Sequence, residues 1–143
     1  MDASILNYTV NDNVGNFLSN EKKLYINGKW VDTKSDKSFD VEDPATGKKI
    51  ASCAAGNAKD IDDAVKAARN TFDSGVWSEM SNSEKGKIIW KIGDLIDKHA
   101  EELAQLESLD NGKPVAIAGA ADVPLSSDIF RYMAGWATKI EGN

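Results

Sequence analysis

The hydrophobic period of this chain changes once, dividing it into a strand-forming part and a helix-forming part. Up to Ala55 the apolar residues alternate or bracket turns, and from Asn57 they recur at the spacing of one helix face. In "KLYINGKWV", Tyr25-Ile26 and Trp30-Val31 flank Asn27-Gly28. A type I′ turn needs positive φ at both central positions, which Asn-Gly supplies, so the stretch predicts a β-hairpin. A second strand pair is predicted in "SFDVEDPATGKKIASCAAG". Phe39 and Val41 alternate with polar residues, "DPATG" provides the turn, and Ile50 to Ala55 runs back.

Beyond the change, Ala64, Val65, Ala68 and Phe72 follow Ile61 at 3, 4, 7 and 11 positions, one helical face. Asn57 suits the N-cap and Gly75 lies past the last turn. "SNSE" places Ser81 and Glu84 at capping-box spacing, opening a longer helix, Ser83 to Leu109. Its stripe is Ile88, Ile92, Leu95, Ile96, His99, Leu103 and Leu106. In "LESLDNGKPVA" the run stops: Gly112 accepts a left-handed conformation and Pro114 forbids continuation. A last helix, Asp122 to Ile140, takes Asp122 as its cap and tolerates Pro124 in its first turn. The fold class expected is α/β, or α+β as the chain stands: strand hairpins first, then three to four helices. Residues 1–20 read as a flexible leader with a short turn at Val14 to Leu18, and residues 21–143 as one partial domain.

The net charge of −6 and the lack of any Lys/Arg block exclude nucleic acid as a partner, because such binding needs a basic face. No run reaches the ~20 apolar residues of a membrane span, so no membrane is expected. "MDASILNYTVNDNVGNFLSN" carries no Lys or Arg, unlike a secretory or mitochondrial leader. The glycosylation pattern at Asn7 is therefore read as accidental. Cys53 is the single cysteine, which excludes an internal disulfide and suits a reducing, cytoplasmic setting.

The motifs that would carry chemistry alone are missing. Gly112-Lys113 is followed by Pro114 rather than Ser or Thr, so it is not a Walker loop, and no G-x-G-x-x-G occurs. "IASCAAG" surrounds Cys53 with small apolar residues and gives it neither a helix N-terminus nor a cationic neighbour, so packing is favoured over nucleophilic use. His99 lies alone on an apolar stripe and reads as a half-buried packing residue. Asp60, Asp62 and Asp63 read as solvated carboxylates favoured by a helix N-terminus. Trp77, Trp90 and Trp136, with Phe130 and Tyr132, read as core. Asp110 is the unusual acid, because it stands at a helix C-terminus. Hydrogen bonds from backbone N–H groups would satisfy it, and so would a hard cation held with helix-end carbonyl oxygens; the first reading is the simpler.

Four stretches in order, "YINGKWV", "DPATGKKIA", "LAQLESLDNGKP" and "FRYMAGWATKIEGN", closely resemble the N-terminal part of NAD(P)-dependent aldehyde dehydrogenases. The resemblance runs from about Lys22 to Asn143. The wording of "MAGWATKIEGN" is most similar to the branch that oxidises aromatic aldehydes such as phenylacetaldehyde. The resemblance implies an incomplete, Rossmann-like nucleotide-binding domain, with NAD or NADP as the cofactor of complete members. The family's oxyanion asparagine, glycine motif, general-base glutamate and nucleophilic cysteine lie beyond the point matching Asn143. Cys53 matches a strand position and does not inherit the nucleophile's role.

What remains is an oxidoreductase segment expected to be inactive alone and to bind no NAD or NADP alone. The resemblance implies a monovalent-cation site, K⁺ or Na⁺, at Asp110 with backbone oxygens of Val41 and Glu42. The family often has Thr or Ser where Val41 stands, so this chain lacks a side-chain oxygen there. It also places Ala121 and Leu125 on one wall of the aldehyde tunnel. Two functions follow. One is a truncated or split aldehyde dehydrogenase that meets its aldehyde substrate only when complemented. The other is a non-catalytic binding or interaction module that keeps the family's elements. Self-association is expected, because much of the helices' apolar stripe would face a sheet supplied from downstream.

Overall fold

A computed structural model describes residues 9–141. Asn7 and the start of the leader lie outside the described residues, as do Gly142 and Asn143. The chain forms two compact units, residues 9–76 with Leu109–Asn111, and residues 77–108 with the part after Asn111.

The first unit contains α1 (Asp12–Ser19), β1 (Leu24–Ile26), β2 (Lys29–Val31), β3 (Ser38–Asp43), β4 (Lys48–Ala54) and α2 (Ala58–Asp73). The short turn expected at Val14 to Leu18 is a full helix, capped where the Asn11 side chain accepts from the Val14 N–H at 3.0 Å. Val14 and Leu18 are buried as α1 packs on β4, whose Ile50, Ala51 and Ala54 are buried too. Both hairpins form as expected. Asn27 and Gly28 take φ of 52° and 74°, and Tyr25 faces Trp30 across β1 and β2 in a T-shaped contact. In the second pair the register slips between Val41, opposite Ala51, and Glu42, opposite Lys49, so Ile50 is the extra residue of a β-bulge.

Asp60 departs from expectation. It is only 3% exposed rather than solvated. Besides closing a capping box with Asn57, it accepts from the Thr33 hydroxyl at 2.7 Å and the Lys34 N–H at 3.1 Å. The helix dipole alone did not reveal this, because the donors come from the loop after β2. The α2 stripe of Ile61, Val65 and Phe72 is exposed.

The second unit holds α3 (Asn82–Lys98), most of α4 (Ala100–Asn111), α5 (Val115–Ile117), a π-helical segment (Ala118–Asp122) and α6 (Val123–Trp136). Ser81 and Glu84 form the expected capping box. The single helix expected from Ser83 to Leu109 is two, broken at His99, whose φ of −108° and ψ of 21° lie in the bridge region. His99 closes the last turn of α3 through its N–H to Leu95 O and opens α4 as its carbonyl accepts from the Leu103 N–H, so the apolar period runs on and gives no sign of the break. His99 is exposed rather than half-buried, with Nδ1 3.4 Å from Glu102 Oε1. Gly112 closes α4 at φ 77°, as expected.

Asp122 is not a cap. The chain is already helical from Val115, so Asp122 sits inside a helical run with no free amide to accept from, and α6 ends at Trp136 rather than Ile140. Ala104, Ala118 and Val123 form a small buried cluster, with Ile96 and Ala100 against it. Trp77, Trp90, Trp136 and Tyr132, expected in the core, are exposed. A helical stripe shows which residues share a face; whether anything covers that face is a separate matter. Among the described residues no helix is long and apolar enough to cross a membrane.

Candidate functional site

The start of α6 borders an open cleft of about 540 Å³, within the size range of small-molecule sites. Ile96, Leu103, Val123, Leu125 and Phe130 give it apolar walls, and Glu107 and Asp122 a polar edge. Leu125, expected on a substrate tunnel, is exposed and faces this cleft. Ala121, its expected companion, is exposed in the π segment just before Asp122. The segment is defined by the Val123 N–H donating to Ala118 O, five residues back. It follows a turn in which Pro114 O accepts from Ile117 and Ala118 N–H at 2.9 and 3.1 Å. Lys113 Nζ lies 2.5 Å from Asp122 Oδ2, both side chains about a third exposed.

Behind the cleft, α3 and α6 are joined by Arg131. Its Nη2 reaches Asp94 Oδ1 at 3.1 Å and Asp97 Oδ2 at 2.5 Å, and its Nη1 reaches Ser127 Oγ at 3.2 Å. The guanidinium lies over the Trp90 ring, 5.7 Å from its centre. The Ser127 hydroxyl first, and Arg131 next, hold the Asp97 carboxyl below the usual carboxylate range. The two acids in turn, Asp97 foremost, raise the Arg131 pKa. Sequence reading passed over this group. Its signal was present as acids three apart on one helix and a Ser/Arg pair four apart on another.

Of the expected cation ligands, Val41 is half-buried at the β-bulge, Glu42 is exposed, and Asp110 is exposed in the last turn of α4. All three belong to the first unit, although Asp110 is far from the strands in sequence. Among the described residues no group of three or more His, Cys, Asp and Glu side chains is placed to hold a metal ion. Cys53, half-buried on β4 opposite Phe39, stands beside the backbone of Lys22. A dinucleotide does not fit the residues present. It calls for a parallel strand, a glycine turn and a helix N-terminus, whereas the named strands pair only antiparallel, as two separate hairpins.

Two antiparallel strand hairpins followed by helices, with a left-handed Gly112 before the helical run that borders the cleft, make this a mixed α/β segment. The profile of the aldehyde dehydrogenase family matches residues 30–143, and the chain belongs to that family. The solved NAD⁺ complex of aldehyde dehydrogenase from Bacillus cereus is similar over 96% of this chain, with TM-score 0.91 and 45% identity, and 28% of that chain is covered. Mitochondrial aldehyde dehydrogenase family 2 member B4 of Arabidopsis thaliana is 50% identical over 120 residues, 84% of this chain and 22% of that protein. Mitochondrial benzaldehyde dehydrogenase of Antirrhinum majus is 47% identical over the same length, again 22% of its own. The chain thus spans about a quarter of the length of these three relatives, between 22% and 28%.

Proposed function

We propose that these residues serve an NAD(P)-dependent aldehyde dehydrogenase as its N-terminal segment, and that an aldehyde is oxidised to a carboxylic acid only when the rest of the family's fold is joined to it. The observation that carries the reading is the family match from residue 30 to 143 together with the quarter-length coverage of the relatives. In a complete enzyme a nicotinamide cofactor, held by the rest of the fold, would supply the oxidising power. The segment's own contribution is shape: Leu125 and Ala121 supply an apolar wall where the substrate's tail is held and water is excluded. An aromatic aldehyde is the proposed substrate class. It is supported by the wording of "MAGWATKIEGN" and by a relative named benzaldehyde dehydrogenase. A reducing, cytoplasmic compartment suits the single cysteine. The monovalent-cation site at Asp110, with the carbonyl oxygens of Val41 and Glu42, belongs to the same reading. It is supported by the grouping of Asp110 with the strand unit and by the bulge that interrupts the ladder at Val41 and Glu42.

Complementation tests the reading. The purified chain is mixed or co-expressed with the Bacillus cereus enzyme lacking its matching quarter, and aldehyde-dependent reduction of NAD⁺ and NADP⁺ is followed by absorbance. Activity is expected in the mixture and not in either part. Reduction by the chain alone, well above a heat-killed control, overturns it. A stable monomer that never complements moves the conclusion to a non-catalytic binding module.

A further inference from the structure

The π-helical segment sits where the candidate tunnel wall is made, and an ion pair spans it. Lys113 follows the left-handed Gly112, and its ammonium returns to Asp122, nine residues on, at 2.5 Å. Between them lie Pro114, the short α5 and the segment Ala118–Asp122, whose defining bond is Val123 N–H to Ala118 O. A π turn holds one residue more than an α turn. If it relaxed to α geometry, every later side chain would rotate about the axis by about 100°, one residue's share of a 3.6-residue turn. Leu125 and Phe130, which line the cleft, both lie on the far side of that turn.

We propose that the Lys113–Asp122 pair is a clamp that holds the π register and thereby sets which side chains line the aldehyde cleft. Lys113 and Asp122 are positioning residues for specificity, and the idea rests on the reading of the cleft as an aldehyde site. Two features of the structure make the pair suited to this. Both partners are about two-thirds shielded, so the attraction is less screened than at an open surface. Its ends bracket the irregular segment, with Gly112 and Pro114 fixing the chain at the lysine end and the buried Val123 following at the other. The clamp also neutralises Asp122 on the edge of a cleft meant for uncharged tails.

The test has one arm that needs no activity. Hydrogen exchange is measured on the 143-residue chain and on the variants Lys113→Met, Asp122→Asn and Lys113→Arg. The expected result is faster exchange of the Val123 amide, about twofold to fivefold for a partly exposed ion pair, in Lys113→Met and Asp122→Asn. Helix α3 should be unchanged, and Lys113→Arg should restore protection. Unchanged exchange at Val123, or equal acceleration along α3 and α6, overturns the clamp. In the second arm, the complemented enzyme carrying Lys113→Met should show a changed ratio of KM values for a bulky and a short aldehyde, with kcat measured for each. An unchanged ratio overturns the link to specificity. Failure of complementation by the unaltered chain would remove the aldehyde reading and leave the exchange result standing by itself.

Discussion

Gly93 of α3 lies directly against Ser127 of α6: a Cβ added to the glycine would stand 3.0 Å from the serine carbonyl oxygen and 3.1 Å from Arg131 Cγ. Seven residues earlier, a Cβ added to Gly86 would likewise stand 3.0 Å from the Ala134 carbonyl oxygen, so the two helices approach closely at both glycines. Gly93→Ala sets a helix-propensity gain of about 1 kcal/mol against overpacking of about 1–3 kcal/mol. The obstacle is backbone, which yields little, and the variant should be net destabilised by about 1 kcal/mol. Gly135→Ala is the control. Its nearest obstacle is the flexible Lys139 Nζ at 3.6 Å, and it should be stabilised by up to about 1 kcal/mol. Thermal melts of the two variants should move in opposite directions, and a stabilised Gly93→Ala would show that the helices are not packed this closely.

Asp60 should make stability depend on acid. The Asn57 N–H foremost, then the Thr33 hydroxyl, hold its carboxyl below the ordinary range. A group whose folded pKa is depressed lends stability that is present above its unfolded pKa, about 3.9 for Asp, and lost as pH falls through the folded value. The melting temperature should therefore decline as pH is lowered from about 5 toward 2, and Asp60→Asn should decline less steeply. Glu84 and Asp97 are depressed as well, so the difference between the two curves, not either slope alone, reports Asp60. Parallel curves would remove it as a contributor.

Replacing Asp110 with Ala tests the cation site. A ligand that binds only the folded chain raises its melting temperature with concentration. K⁺ or Na⁺ should raise the wild-type midpoint more than that of Asp110→Ala, with N-methylglucamine chloride as the ionic-strength control. An identical response in both proteins would return Asp110 to a backbone hydrogen bond.

What could be read in the sequence was what rests on local chemistry. Asn27-Gly28 dictated its hairpin, Ser81 with Glu84 its cap, and Gly112 its helix end, because each is settled within four residues. What escaped depends on distant partners. Asp60 looked solvated because Thr33 and Lys34 donate to it across more than twenty positions. The break at His99 leaves the apolar period intact, and nothing local shows that Asp122 lies inside a helical run rather than at its cap. Of the candidate site, Leu125 lines the cleft beside α6, whereas Lys113 and Arg131 are held in pairs at separations of 9 and 34 or more residues, which no local pattern marks.

The apolar faces of the helices carry the last prediction. On α3, Ile88, Ile92 and Leu95 are 44%, 37% and 45% exposed; on α6, Ile129, Met133 and Trp136 are 53%, 52% and 44% exposed. On α2, Phe72 is 73% exposed. Covering one such side chain fully is worth roughly 1.5–3 kcal/mol, and the net stability of a whole domain is only about 5–15 kcal/mol. Covering several such positions on three helices is therefore a strong drive to associate. The isolated chain should self-associate through these faces: it should elute above 15.5 kDa and bind a dye specific for exposed apolar surface. Adding the polypeptide that supplies the rest of the family's fold should abolish dye binding, because the same faces are then covered. A monomer that ignores the dye would mean that these helices are stable bare, and would favour an independent module over a segment of a larger enzyme.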